Sequence, residues 1–305
     1  MTMDELNPEI PEETRLEKQP GMASVFTKGF FLSLFRPGAG SIRRAPEKAS
    51  FRLDNVRIEP ARVAKYARVC GFPPDADTVP VTFCQTLFTP LMGHYFTSGF
   101  FPASPMGLIH VRQMCERIHP LRAGECVDLF LSMDSAQTVE KGLEITFRQT
   151  VSIQGEPFWK GSSTFLLKQK GDGGRKKTKQ GEEEQEFSPL ASFDVPAGTG
   201  RRYAAVSGDY NPHHISGAAA KLMGFKTPIA HGMWTMARCA AEIETLFDSG
   251  KHGFQIAASF KKPVFMPSRV SLSFRRDNGI SFVLENEETG IPHIRGHALS
   301  GHKKE

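Results

Sequence analysis

No run of about 18 apolar residues occurs in this 305-residue chain, so no helix is expected to span a membrane. Cysteines are few and scattered. Cys70, Cys84, Cys115, Cys126 and Cys239 are odd in number and never spaced CxxC, which argues against a disulfide framework and a zinc cluster. That usage fits a reducing compartment, and the cytoplasm is the expected location. No basic stripe interleaved with aromatics is present, so nucleic acid is not an expected partner. The net charge of +5 is modest and suits an acidic small molecule such as a nucleotide-bearing thioester. Asp4, Glu5, Glu9, Glu12 and Glu13 give the N-terminus the wrong charge for a signal peptide. What is present is ordinary for a globular chain, 39% hydrophobic and 23% charged residues, with enough length for one large domain or two of common size.

Two segments stand apart from the body. In residues 22–36, MASVFTKGFFLSLFR, Phe26, Phe30 and Leu34 recur at helical spacing with Val25 and Phe31 beside them. The pattern predicts an amphipathic N-terminal helix docked on the body through that face; a membrane-surface helix and a partner-binding segment are the alternatives. Residues 168–187, KQKGDGGRKKTKQGEEEQEF, carry glycines, a basic run and an acidic run, with no apolar residue before Phe187. Such a segment cannot bury enough surface to order itself and reads as a linker. The expected division is an N-terminal extension over 1–50, a first domain over 51–167, the linker over 168–187 and a second domain over 188–301.

The two domains echo each other. YARVCGF at 66–72 lines up with YAAVSGD at 203–209, Pro80-Val81 with Pro228-Ile229, Pro120-Leu121 with Pro263-Val264, and GEPFWKG at 155–161 with GIPHIRG at 290–296. From Tyr66 to Pro80 is 14 positions and from Tyr203 to Pro228 is 25, so the second copy carries about 11 extra residues there. After His231-Gly232, Met233, Met236, Ala240, Ile243 and Phe247 mark a helical stripe, with Ala237, Ala240 and Ala241 small enough for a sheet to wrap closely. Segments 255–265, 269–275, 280–285 and 291–299 read as strands separated by turn residues. A buried helix followed by antiparallel strands, occurring twice, is an α+β pattern.

The extra length holds SGDYNPHHIS, residues 207–216. Asp209, Asn211, His213 and His214 could form a catalytic site, a metal site or a polar turn, since Asp and Asn near a proline often bond their own backbone. The first copy has Phe72 where the second has Asp209, which favours a function for the cluster.

Tyr203, Ala204, Ser207, Gly208, Asp209, Asn211, Pro212 and His214, followed by Ala230-His231-Gly232-Met233 and by Phe260, Pro263 and Val264, resemble the MaoC-like, or hydratase 2, family. The resemblance implies a double hot-dog fold, each half wrapping an antiparallel sheet around a central helix, with the first half degenerate. It implies (R)-specific hydration of trans-2-enoyl thioesters, or dehydration of 3-hydroxyacyl thioesters, in fatty-acid metabolism. Asp209 and His214 match the family's catalytic pair, Asn211 its supporting amide and Gly232 its oxyanion-hole glycine. The chemistry is coherent: hydration needs a group that holds and deprotonates water, an acid for the α-carbon and donors for the enolate oxygen. Gly232 at a helix start offers unpaired N–H groups with no side chain in the way.

Tyr203, Ser207, Gly208 and His231 are expected to brace the motif or contact substrate. His213 is expected to be a bystander, and His110 a buried histidine or a wall of an acyl tunnel. No metal ligand set and no cofactor are expected. The partner is an acyl-CoA or acyl-carrier thioester, for whose phosphates Arg201, Arg202, Lys261 and Lys262 are candidates, and a homodimer is compatible with the fold. A hot-dog thioesterase and a non-catalytic acyl-thioester-binding protein are the rival readings.

Overall fold

The computed structural model describes residues 13–37, 45–74, 78–105, 107–168, 186–247 and 253–301. The expected linker therefore lies almost wholly outside the described residues, as does most of the extension before Glu13. In chain order, β1 (Glu13–Arg15) and α1 (Met22–Phe35) precede β2 (Ser50–Arg57), α2 (Pro60–Cys70), α3 (Gln85–Thr97), β3 (Leu108–Arg117), β4 (Cys126–Val139), β5 (Gly142–Ile153) and β6 (Glu156–Lys168). The second half runs β7 (Ser188–Val195), α4 (Thr199–Ser207), α5 (Pro212–Ile215), α6 (Gly217–Leu222), α7 (Gly232–Ile243), β8 (Phe254–Phe260), β9 (Ser268–Asp277), β10 (Gly279–Asn286) and β11 (Pro292–Ser300).

All strands join one sheet in the order β1-β2-β4-β5-β6-β3-β8-β11-β10-β9-β7. With β1 set aside, each half places its first, third, fourth, fifth and second strands in the same order from its outer end inward. The halves meet where β3 pairs antiparallel with β8, Met114 opposite Ala257. The architecture is an α+β double hot-dog whose sheet packs against α3 and α7. Their side chains are buried almost throughout, and Ala237, Ala240 and Ala241 let the strands approach α7 closely. Alternating inward residues such as Val127, Leu129 and Leu131 on β4, and Val270 and Leu272 on β9, complete one core that spans both halves. Each such side chain contributes roughly 1.5–3 kcal/mol by leaving water.

Helices α2 and α4 end alike. Gly71 and Gly208 both adopt the left-handed conformation, with φ of 78° and 80°, which lets the chain leave the helix without a Cβ clash. This confirms the match of Tyr66 with Tyr203. The next match shifts: Val79 N–H donates to Leu121 O, and Ala230 N–H donates to Val264 O, both at 2.8 Å. Pro80 and Val81 are thus the counterparts of His231 and Gly232, not of Pro228 and Ile229. The extra length rises to 14 residues and contains α5 and α6.

The docking face of α1 differs from the expectation. It packs on α3 through Val25, which lies against Gly93, and through Gly29, which lies against Thr97 and Pro105, whereas Phe30, Phe31, Leu34 and Phe35 are exposed. The apolar residues cover most of the helix surface, so spacing alone could not pick the inward stripe; the closest approach is at Gly93 on α3, where a Cβ would lie 2.5 Å from Val25. Among the described residues no helix is long and apolar enough to cross a membrane.

Candidate active site

The site grows from the end of α4. Gly208 N–H closes that helix on Ala204 O at 2.9 Å, and the reversal carries the chain into Asp209. Asp209 N–H donates to Ser207 Oγ, and Asn211 N–H donates to Asp209 Oδ1, each at 3.2 Å. The second bond is a local turn of the kind Asp favours, and it fixes the carboxylate. Pro212 then starts α5, where its missing N–H costs nothing, and His214 N–H donates to Asn211 O at 3.0 Å.

His214 is buried, and its Nδ1 donates to Ile229 O at 2.8 Å. A carbonyl can only accept, so the proton sits on Nδ1 and Nε2 is left as a free acceptor. His231 mirrors this: Nε2 donates to Asp209 O at 2.9 Å, leaving Nδ1 buried with no partner among the described residues. The two rings stack at 3.7 Å and 28°. Burial and the neighbouring His231 hold His214 well below the usual imidazole range, and burial drives His231 down to about 3. Both are neutral at ordinary pH. Gly232, the first residue of α7, follows His231 and faces the ring of Phe260, which would lie 3.1 Å from a Cβ placed there.

Ligand atoms of Asp209, His214 and His231 all lie within 4.8 Å of one another, so a single water could bridge the carboxylate and an imidazole. The same three groups could be read as a metal site. The stacking speaks against it, because near-parallel imidazoles aim their in-plane lone pairs side by side rather than at one ion.

The structure thus brings together Ser207, Gly208, Asp209, Asn211, His214, His231 and Gly232. Tyr203 is buried below them, its ring 5.0 Å from His231 and its hydroxyl without a partner among the described residues. Burial pushes its phenol well above the usual range, so it braces as a neutral ring. His213 tilts against His214 at 4.0 Å, with its Nδ1 enclosed and likewise unpartnered. Arg201, Arg202, Lys261 and Lys262 are exposed, and Arg202 bonds Thr199 Oγ1 at 3.0 Å.

Two contributors escaped the sequence reading. Gly200 on α4 lies so close to the His214 carbonyl that any Cβ would overlap it; its signal was a glycine inside a helix with no turn to explain it. Arg62 on α2 reaches across to Val206 O at 2.9 Å, just before the Asp209 turn, and to Thr86 Oγ1 at 2.9 Å. Its partner lies 144 residues away, and no local pattern announces it.

The MaoC like domain family matches residues 179–295. The 3-hydroxyacyl-thioester dehydratase X of Mycobacterium tuberculosis is 31% identical over 269 residues, covering 86% of this chain and 95% of that protein. The peroxisomal hydratase-dehydrogenase-epimerase of Neurospora crassa is 29% identical over 214 residues, 64% of this chain, which spans 23% of that longer protein. Among solved structures, HtdX of Mycobacterium tuberculosis superposes with a TM-score of 0.70 at 30% identity, over 82% of this chain and 98% of that one. A MaoC-like dehydratase of Phytophthora capsici gives a TM-score of 0.68 at 18% identity, over 85% and 96%, which is a likeness of fold.

Proposed function

The chain belongs to the MaoC-like dehydratase family, and from that premise we propose that it is a hydro-lyase acting on acyl thioesters in fatty-acid metabolism. It adds water to trans-2-enoyl thioesters with (R) specificity, or removes it from 3-hydroxyacyl thioesters. One observation carries the reading: Asp209 and the free Nε2 of His214 converge beside the N-terminus of α7 at Gly232. Water bound between them attacks C3. The thioester carbonyl approaches the Gly232 backbone, where the helix start stabilises the enolate oxygen. Asp209 returns the proton to the α-carbon, and Asn211 holds the turn. His231 orients Asp209 through its backbone oxygen, with Tyr203 and Ser207 beneath.

We divide the chain into a degenerate half over 51–167 and a catalytic half over 188–301. The carrier is CoA or an acyl-carrier protein, with Arg201, Arg202, Lys261 and Lys262 as candidate phosphate contacts. Five free thiols, four of them buried, support a cytoplasmic setting, and the β7 edge of the sheet offers a surface for a homodimer.

The test is incubation with crotonyl-CoA while enoyl-thioester absorbance and free thiol are followed together. Loss of absorbance without thiol is expected. Thiol release without hydration would mean a thioesterase, and no change across a series of chain lengths would mean a binding protein.

A further inference from the structure

One imidazole near the site is left over by this mechanism. His110 lies on β3, a strand of the other half, yet it feels the charge of Asp209. Its ring stacks on Phe165 at 4.6 Å and meets the edge of Phe260 at 5.1 Å, the ring that itself covers Gly232. Part of the residue remains exposed, but Nε2 is sealed from solvent and has no hydrogen-bond partner among the described residues. An enclosed polar atom without a partner destabilises the free protein, a penalty that a bound ligand would remove.

The backbone shows that this orientation is built. His110 pairs with Phe165 and Arg112 with Thr164, so Val111 is the extra residue of a β-bulge. Without the bulge, His110 would share a face with Arg112, whose guanidinium is held outward by Glu144. With it, His110 shares the inward face of the buried Gln113, and bulges beside sites commonly re-aim a side chain in this way. Gln113 is itself held by Ser163, whose hydroxyl donates to its Oε1 and accepts from Gln149.

We propose that His110 is a substrate-binding residue that the non-catalytic half supplies to the other half's site, its Nε2 hydrogen-bonding the acyl thioester held at Gly232. The proposal rests on the hydratase reading above. Burial lowers the imidazole to about 4, opposed by hydrogen bonding to the Arg112 backbone, the charge of Asp209 and hydrogen bonding to the Gln113 side chain, so the ring acts as a neutral partner.

The test compares His110→Phe, which keeps the aromatic stack, with His110→Gln, which keeps a donor and an acceptor. Hydration kinetics and the binding of a saturated, unreactive acyl-CoA are measured on each full-length chain, with Tm as the structural control. His110→Phe is expected to lose about tenfold in both kcat/KM and acyl-CoA affinity, the worth of one hydrogen bond, with Tm no lower than that of the wild type. His110→Gln is expected to recover to within about threefold, the amide replacing most of that bond. Wild-type behaviour of His110→Phe, or equal impairment of both variants, overturns the proposal. A wild-type chain that shows no hydration while His110→Phe still loses acyl-CoA affinity would overturn the hydratase reading and leave the contact standing.

Discussion

The two halves share a skeleton and differ at the few positions to which the proposed chemistry is assigned. Tyr66 and Tyr203, Gly71 and Gly208, and Gly161 and Gly296 are counterparts; each of the last pair sits where a Cβ would overlap a side chain on the neighbouring strand. Even the clamps repeat: Trp234 Nε1 donates to Val69 O, and Arg62 Nε to Val206 O, the equivalent carbonyl. Against this background Phe72 stands where Asp209 does, Pro80 where His231 does, and Val81 where Gly232 does. The first half lacks the groups that the proposed reaction uses: it has no carboxylate at its turn, and a side chain at the position of Gly232. It was free to become wall and support.

The sharpest way to break the comparison is to make the halves alike at the turn. Asp209→Asn is expected to lower hydratase kcat/KM by about 10²–10⁴-fold, the usual worth of a general acid–base group. Phe72→Leu in the first half should leave turnover unchanged. Near-full activity in Asp209→Asn, measured by loss of enoyl absorbance, would falsify the assignment of the α-carbon proton to Asp209.

A second contrast lies nine residues earlier. Gly200 on α4 corresponds to Val63 on α2, a buried valine in the half that has no counterpart of α5 among the described residues. A methyl group on Gly200 must push the His214 carbonyl away, and small displacements of a catalytic group can cost about 10²-fold. Gly200→Ala should therefore show a drop of that size in kcat/KM, whereas Val63→Ala should lower Tm and spare kcat. Equal effects of the two on kcat would show that the glycine merely packs.

The clamps give a smaller contrast. Arg62→Met removes the guanidinium that holds Val206 O, and kcat/KM should fall by about tenfold as the turn loosens. Arg238, which holds Cys70 O at 3.2 Å in the first half, secures a turn with no chemistry. Arg238→Met should cost about 1 kcal/mol in urea denaturation and nothing in turnover. If both variants lose activity alike, the clamps serve the fold and not the site.

These contrasts also show where sequence reading stops. The Asp209, Asn211 and His214 spacing was legible because one short turn holds all three, and the repeat was legible because tyrosines, glycines and prolines punctuate it. Its register slipped at Pro80, since a proline match outweighed the hydrogen bonds that place Val79 against Leu121. The inward face of α1 was not legible either, because the helix is apolar nearly all round and it is Gly93 on α3 that makes room for Val25. Arg62 and the re-aiming of His110 belong to tertiary structure: one depends on a carbonyl far along the chain, the other on a bulge that alternation cannot reveal.

The smallest effect is on stability in acid, and it too separates the halves. His213, His214 and His231 form one cluster in the second half, all held below the ordinary imidazole value of 6.5 with burial as the first cause. Among the described residues of the first half, His94 and His110 share this condition but lie apart from that cluster. A histidine depressed in the folded state binds its proton first in the unfolded chain. Its stability is therefore complete above pH 6.5 and is lost as the pH falls towards the folded value, about 4 for His110 and about 3 for His231. Each such group removes about 1.4 kcal/mol per pH unit within that window. Urea denaturation at pH 7.5, 6.5 and 5.5 should show stability falling mostly over the last interval. His213→Asn, which removes a cluster member outside the proposed chemistry, should flatten that fall, while Phe72→Leu should leave its slope unchanged. An undiminished slope in His213→Asn would place the acid sensitivity outside the cluster.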